Sequence, residues 1–380
     1  MHHLPRPCRL LLTTFAVLAG TLAAQRPIVH VGGATPDFAD LPAAVAAAPV
    51  GAVILCAPGT YTGFSTQKPL RVQLGSATVL PAAGSAYTIE VHDLPPGEAF
   101  ALAGGNGTIA AGALGCLRLH GNGAPVVLER FTAAATGNRS GLEVQDCAAV
   151  LVHHCILGGA PALQVQWASF VCNESIVLST NGVGAIVDDS LFESVRTSFT
   201  GTGMPALRGF RSAMRLAGDG SIGLSVIGGS SIPVSAFEAV QCTVQWQQSR
   251  FPLGSLGGAP GFVAIDTTVW ADDVPVLAAS DAAPGTTATA RMSSNTPTIG
   301  AIVMGYAVVP ALFGITGVYC DTVNAPVIAA FGVVDAAGLP VLANVPASNA
   351  LRGELFNLQG VVWSTAGVPL LSGPGTWTIL

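Results

Sequence analysis

"VLVHHCIL", Val150–Leu157, is followed by two segments of the same build, "FVCNESIV" at Phe170–Val177 and "FESVRTSF" at Phe192–Phe199. Aligned, the small residues Cys155, Ser175 and Thr197 fall in one column, and His154, Glu174 and Arg196 in the column before it. The columns advance by 20 and then by 22 residues. "GLEVQDC" from Gly141 and "ALQVQWA" from Ala162 repeat with a step of 21. A period of roughly 20–24 residues carrying short alternating strands indicates a solenoid. The leucine and asparagine frame of leucine-rich repeats is missing, and so is the 3.6-residue period of helical repeats. A parallel β-helix remains, with two or three short strands per rung and equivalent positions stacked about 4.8 Å apart.

In such a coil Val150 and Val152 point inward, His153 and His154 occupy the corner, and Cys155 turns inward again. His154, Glu174 and Arg196 then form a surface stack whose charges relieve one another, read as a structural feature. No metal site is expected. Three or more converging ligands are needed, only His153 and His154 are evident, and neighbours on an extended chain diverge.

The bulk numbers agree with a large packed core. Half of the residues are hydrophobic, while charged residues are only 9% against the usual ~25%, which excludes a disordered chain. The net charge of −6, with Lys68 as the single lysine, argues against nucleic acid, which needs a basic face. It also argues against an anionic membrane surface.

Residues 1–24 read as a secretory signal peptide: Arg6 and Arg9, an apolar run from Leu10 to Leu22, then Ala23 and Ala24. A secreted or cell-surface location (periplasmic or extracellular) is therefore expected. A second apolar run, Thr298–Tyr319, is long enough to span a membrane. It is cut by Gly300, Gly305, Pro310, Gly314 and Gly317 and has no basic flank, so it reads as strands, with no stable span after signal cleavage. Beyond the signal lie seven cysteines, an odd number with no C-x-x-C, set among apolar residues. They are read as small core fillers.

"PIVHVGGATPDFADLPAAVAAAPVGAVILCAPGTYTG", Pro27–Gly63, has a strand, a helix started by Asp40 with Pro42 in its first turn, and a strand ending in Pro58-Gly59-Thr60-Tyr61. This resembles the N-terminal opening of the right-handed parallel β-helix, pectin-lyase-like family, in which the helix caps the coil. The resemblance covers roughly Pro27–Asp273. The stretch Phe331–Leu380 carries Asp335-Ala336-Ala337-Gly338, read as a hairpin turn, then "LRGELFNLQGVV" and a terminal "TWTIL". It resembles the small C-terminal β-sandwich module of secreted proteins of environmental bacteria. The expected fold class is thus all-β: a right-handed parallel β-helix with an N-terminal capping helix over 25–273, and a small antiparallel β-sandwich over 274–380.

Many proteins of this fold degrade polysaccharide, but fold alone does not imply activity. The R-x-P-x-x-R pattern of pectate lyases is absent. Asp188-Asp189 superficially matches the paired aspartates of polygalacturonase-like hydrolases, whose Gly-His-Gly and N-x-D motifs are also absent. The one dense titratable cluster is on the middle rungs: Glu143, Asp146, Glu174, Asp188, Asp189, Glu193, Arg196, His153 and His154. The catalytic candidates are Glu174, Asp188, Asp189, Arg196 and His154, expected together on one long face. Trp167 and Trp246 are candidate sugar platforms but read first as packed residues; Trp270, Trp363 and Trp377 read as junction or sandwich core.

The expected function is non-enzymatic extracellular recognition or structure, with polysaccharide as the ligand class. The alternative is a polysaccharide lyase or glycoside hydrolase on the middle rungs. No cofactor is expected; calcium enters only under the lyase reading.

Overall fold

In the computed structural model the described residues are 26–378, apart from 219–220, 226–233, 247–254, 257–259, 271–274, 281–282, 295, 306–307, 313–314, 321–326, 346, 348–354, 364–368 and 373. The signal segment and the expected boundary at 273–274 lie outside them.

Three parallel sheets of eleven, nine and eight strands wind into a β-helix. A typical rung runs Ser140–Cys147 in the nine-stranded sheet, Val150–His153 in the eleven-stranded sheet and Ile156–Gly159 in the eight-stranded sheet. The registers are those of the sequence columns: Val150 pairs with Phe170 and Phe170 with Phe192. Val150, Val152, Cys155, Cys172, Phe170 and Phe192 are buried in one continuous core. The Phe170 and Phe192 rings stack at 5.7 Å.

The corners explain why the repeat is so regular. Arg130, His154, Glu174 and Arg196, at the end of successive eleven-stranded-sheet strands, all have φ between 48° and 53°. Asp146, Trp167, Asp189, Arg211, Gln241 and Asp266, where the nine-stranded sheet ends, have φ between 45° and 54°. A single left-handed residue turns the chain, at a conformational cost that L-residues rarely bear. Hydrogen bonding between rungs offsets it. The corner N–H donates to a backbone carbonyl one rung on, as in His154 N to Asn173 O (3.1 Å) and Asp189 N to Phe210 O (3.1 Å).

The next N–H donates instead to a hydroxyl. Cys155 N donates to Ser175 Oγ, Ala168 N to Ser190 Oγ and Ser190 N to Ser212 Oγ, each at 3.1 Å. Each hydroxyl in turn donates to a carbonyl two residues back, as Ser190 Oγ does to Asp188 O at 2.7 Å. The small-residue column is therefore a buried hydroxyl ladder.

At the N-terminal end, the helix Leu41–Ala47 packs Leu41, Ala44 and Val45 onto the first turn. Asp40 accepts from Leu41 N (2.8 Å) and Thr62 N (2.7 Å). Burial pushes its carboxyl up, but these hydrogen bonds outweigh that and hold it below its ordinary value. The lone lysine closes the other end of the helix: Lys68 Nζ donates to the carbonyls of Val45, Ala46 and Ala48 at 2.6–3.2 Å. Among the described residues all seven cysteines are free thiols, six of them buried. Burial pushes Cys116 and Cys172 up to about 12, as inert core fillers require.

After Thr268–Trp270, the last parallel strand of the eleven-stranded sheet, pairing becomes antiparallel from Val276–Ala279 onward. The run Thr298–Tyr319 lies in strands 298–305, 308–312 and 315–320, and no helix among the described residues is long and apolar enough to cross a membrane. A three-stranded and a five-stranded sheet enclose Met292, Ile302, Leu358, Val362 and Trp377.

Two expectations change here. Asp335–Gly338 is a tight turn, with Asp335 Oδ1 accepting from Ala337 N and Gly338 N, but it is not a hairpin. Strand 327–334 pairs with 298–305 and strand 339–344 with 287–293, so the turn carries the chain from one sheet to the other. Trp363 lies 41% exposed on the outer face rather than in the core.

Replacing Ser190 with Ala removes the acceptor of the buried Ala168 amide. A loss of about 1–2 kcal/mol is expected in urea unfolding. Lys68→Met, which leaves three helix-end carbonyls without their ammonium, should cost a similar about 1–2 kcal/mol.

Candidate functional site

The candidate residues do not share one face. Asp188 and Asp189 sit where the nine-stranded sheet turns into the eleven-stranded one, whereas His154, Glu174 and Arg196 sit where the eleven-stranded sheet ends. The strand Leu191–Val195 separates the two corners, roughly 15 Å along an extended chain. The expected single cluster is therefore two. Glu143 belongs to neither: it faces outward from the nine-stranded sheet, accepting from the Tyr87 hydroxyl (2.5 Å) with Arg118 Nε at 3.3 Å. Glu193 pairs with Arg215 at 3.3 Å on the eleven-stranded sheet.

The first corner opens into a groove of about 900 Å³ that crosses successive rungs. Asp146, Trp167, Asp189, Arg211 and Gln241 line it, and each is a left-handed corner residue. That conformation aims the side chains away from the coil, so Trp167, expected to be packed, is 50% exposed. Trp246 is buried against Phe237 and Phe262 and is no platform. Arg211 holds both aspartates: Nε to Asp189 Oδ1 and Nη2 to Asp189 Oδ2 at 2.8 Å, and Nη2 to Asp188 Oδ1 at 2.7 Å. The Arg211 hydrogen bond holds the Asp189 carboxyl below its ordinary value.

The second corner is partly covered, with Arg196 left exposed. The antiparallel unit lies over the outer face of the eleven-stranded sheet, where Val276 packs with Val195 and Ala217. Asn173 Nδ2 donates to Pro374 O at 2.5 Å, and Arg215 Nη2 to Leu371 O at 2.6 Å. His153, 1% exposed, places Nδ1 2.8 Å from Thr376 Oγ1 and 3.6 Å from Glu129 Oε1. His154 Nε2 is 3.2 Å from Glu174 Oε2 and 3.5 Å from Ala279 O. Arg196 Nη1 stands 4.0 Å from Glu174 Oε1. Burial first, then the neighbouring His153 and Arg130, pushes His154 down to about 4, so its imidazole is neutral at pH 7.

The expected His154–Glu174–Arg196 stack forms, exposed at Arg196 and half-buried at His154 and Glu174. The expected divergence of the histidines is overturned. His154 has φ 52° and is not extended, so the rings meet at 4.1 Å between centroids. One ligand atom each from His153, His154 and Glu174 lies within 4.8 Å of the others.

The strands held a signal for the covered face. "LQVQ" and "AIVD" alternate buried and half-buried positions, but every residue of "VVLE" and "VLVH" is buried. Loss of alternation means both faces are covered. A polar stripe on the early rungs was also missed: Glu90, Arg118 and Glu143 are in register, and His92 stacks on His120 at 5.1 Å.

No protein-family model and no curated protein matches the chain. Among solved structures, the enzymatically active domain of bacteriophage CBA120 tailspike protein 2 is similar with a TM-score of 0.39 at 9% identity, over 92% of this chain and 71% of that one. The β-helix assignment rests on the strand pairing itself.

Arg211→Ala should move the Asp189 carboxyl back up toward the ordinary carboxylate range, followed by carboxyl NMR titration. An unmoved titration would show that Arg211 is not what depresses it.

Proposed function

We propose that this protein is a secreted or surface-held recognition protein that binds extended polysaccharide along the first-corner groove. The observation that carries this reading is Trp167: a half-exposed indole in a groove otherwise lined by charged and amide groups. A sugar presents an apolar C–H face and a rim of hydroxyls. The first suits an aromatic face, and the second suits Asp146, Asp189, Arg211 and Gln241, which the coil repeats rung by rung. Six rungs contribute to the lining, which favours a linear polymer over a small ligand.

The groove chemistry favours binding over turnover. Glycoside hydrolysis uses two carboxyl groups, one kept protonated by a raised pKa. Here Asp188 and Asp189 share one guanidinium, and Asp189 is shifted the opposite way. The signal-like segment supports export, and the change of pairing between Trp270 and Val276 supports the division into 25–273 and 274–380.

The test uses the mature chain, Gln25–Leu380, against a panel of neutral and acidic polysaccharides, by gel retardation and tryptophan fluorescence. Retardation by at least one polymer is expected, weakened about tenfold or more in Trp167→Ala (about 1.4 kcal/mol or more) and unchanged in Trp246→Phe. Retardation that survives Trp167→Ala intact, or release of new reducing or unsaturated ends by the wild type, would overturn the reading.

A further inference from the structure

We infer that His153, His154 and Glu174 bind a divalent transition-metal ion of the zinc type, and that this ion pins the antiparallel unit to the coil. The site lies on the opposite edge of the sheet from the sugar groove and does not depend on it.

The donor set is two imidazoles and one carboxylate, which suits zinc, cobalt or nickel. Calcium prefers all-oxygen cages, so the pair of imidazoles disfavours it. The three ligand atoms already lie within 4.8 Å of one another. His154 Nε2 and Glu174 Oε2 are 3.2 Å apart; two ligands on a tetrahedral ion at zinc-ligand bond lengths stand about 3.3 Å apart. The backbone is committed to this placement. The left-handed residue at 154 brings two adjacent histidines to one side of the chain, and the next rung supplies Glu174 in the same corner column.

The surroundings match those of a held ligand. His153 is fixed at Nδ1 by Thr376 Oγ1 from the antiparallel unit, with the Glu129 carboxylate 3.6 Å away. Metal-bound histidines are commonly oriented by such partners on one ring nitrogen, which for His153 would leave Nε2 to the ion. Ala279 O, also from the antiparallel unit, stands 3.5 Å from His154 Nε2, offering a carbonyl beside the ion. Glu174 and Glu129 face Arg196 and Arg130 at 4.0 and 3.9 Å, so the cation would sit on the imidazole side of Glu174.

The test takes the full mature chain, stripped with chelator, and titrates it with zinc chloride by calorimetry and with cobalt chloride by visible absorption. One ion per chain is expected, at micromolar affinity or tighter, with the d–d bands of a nitrogen- and oxygen-ligated tetrahedral cobalt. Zinc should raise the wild-type Tm, since an ion that binds only the folded state stabilises it. His154→Asn and Glu174→Gln should each weaken zinc binding about tenfold or more and abolish the Tm rise, with far-UV circular dichroism unchanged. No saturable zinc or cobalt binding by wild type at about 1 mM would overturn the inference whatever the variants do. Equal zinc affinity in wild type and both variants would also overturn it, and would leave His154–Glu174 a plain imidazole–carboxylate contact. Polysaccharide retardation should be the same in the variants, so failure here and failure of the groove reading remain distinguishable.

Discussion

The structure depends on a one-residue corner that hydrogen-bonds to its copy in the next rung. A left-handed residue is locally unfavourable, and the coil uses one at the same place rung after rung. It is tolerated because the corner N–H finds a carbonyl one rung on, and the following N–H finds a Ser or Thr hydroxyl. Without that hydroxyl a buried donor would be left unmade, which costs more than the bond itself contributes. The small-residue column is thus required by backbone satisfaction as well as by volume.

The same corner governs the surface. A left-handed residue throws its side chain outward, so the identities at these positions decide what the protein offers to its surroundings. In one column they are Asp146, Trp167, Asp189, Arg211 and Gln241, open to solvent and continuous as a groove. In the other they are Arg130, His154, Glu174 and Arg196, beside a sheet face that the antiparallel unit covers. Two columns built by one rule therefore have opposite fates. One is a candidate for ligands from outside; the other is a half-buried polar seam with Arg196 at its exposed end. The seam is a more demanding environment, because a buried charge needs a partner, and the glutamates, arginines and histidines supply one another.

The antiparallel unit lies on the flank of the coil, its strand 315–320 against Ser169–Asn173 and Val276 against Val195 and Ala217, and the outward Val127, Leu151 and Val171 are buried. An apolar outer face left open would be a large sticky patch. The antiparallel unit also partly buries the second corner, and burial is the first cause of the depressed His154.

The 20–22-residue step, the inward Val150 and Val152, the small-residue column and the Asp40-capped helix were all legible in the sequence. Each follows from local alternation or a local hydrogen bond. Asp188 and Asp189 were visible as a pair, and His153 and His154 as neighbours, but not what each would meet. Arg211 comes from the next rung, and Thr376 from more than two hundred residues away. The sequence by itself determined the coil, because register is set by a period that every rung repeats. Only the tertiary structure decided how far each corner is covered. That choice rests on where the antiparallel unit docks, and its docking depends on contacts between residues far apart in the chain, which no local period encodes.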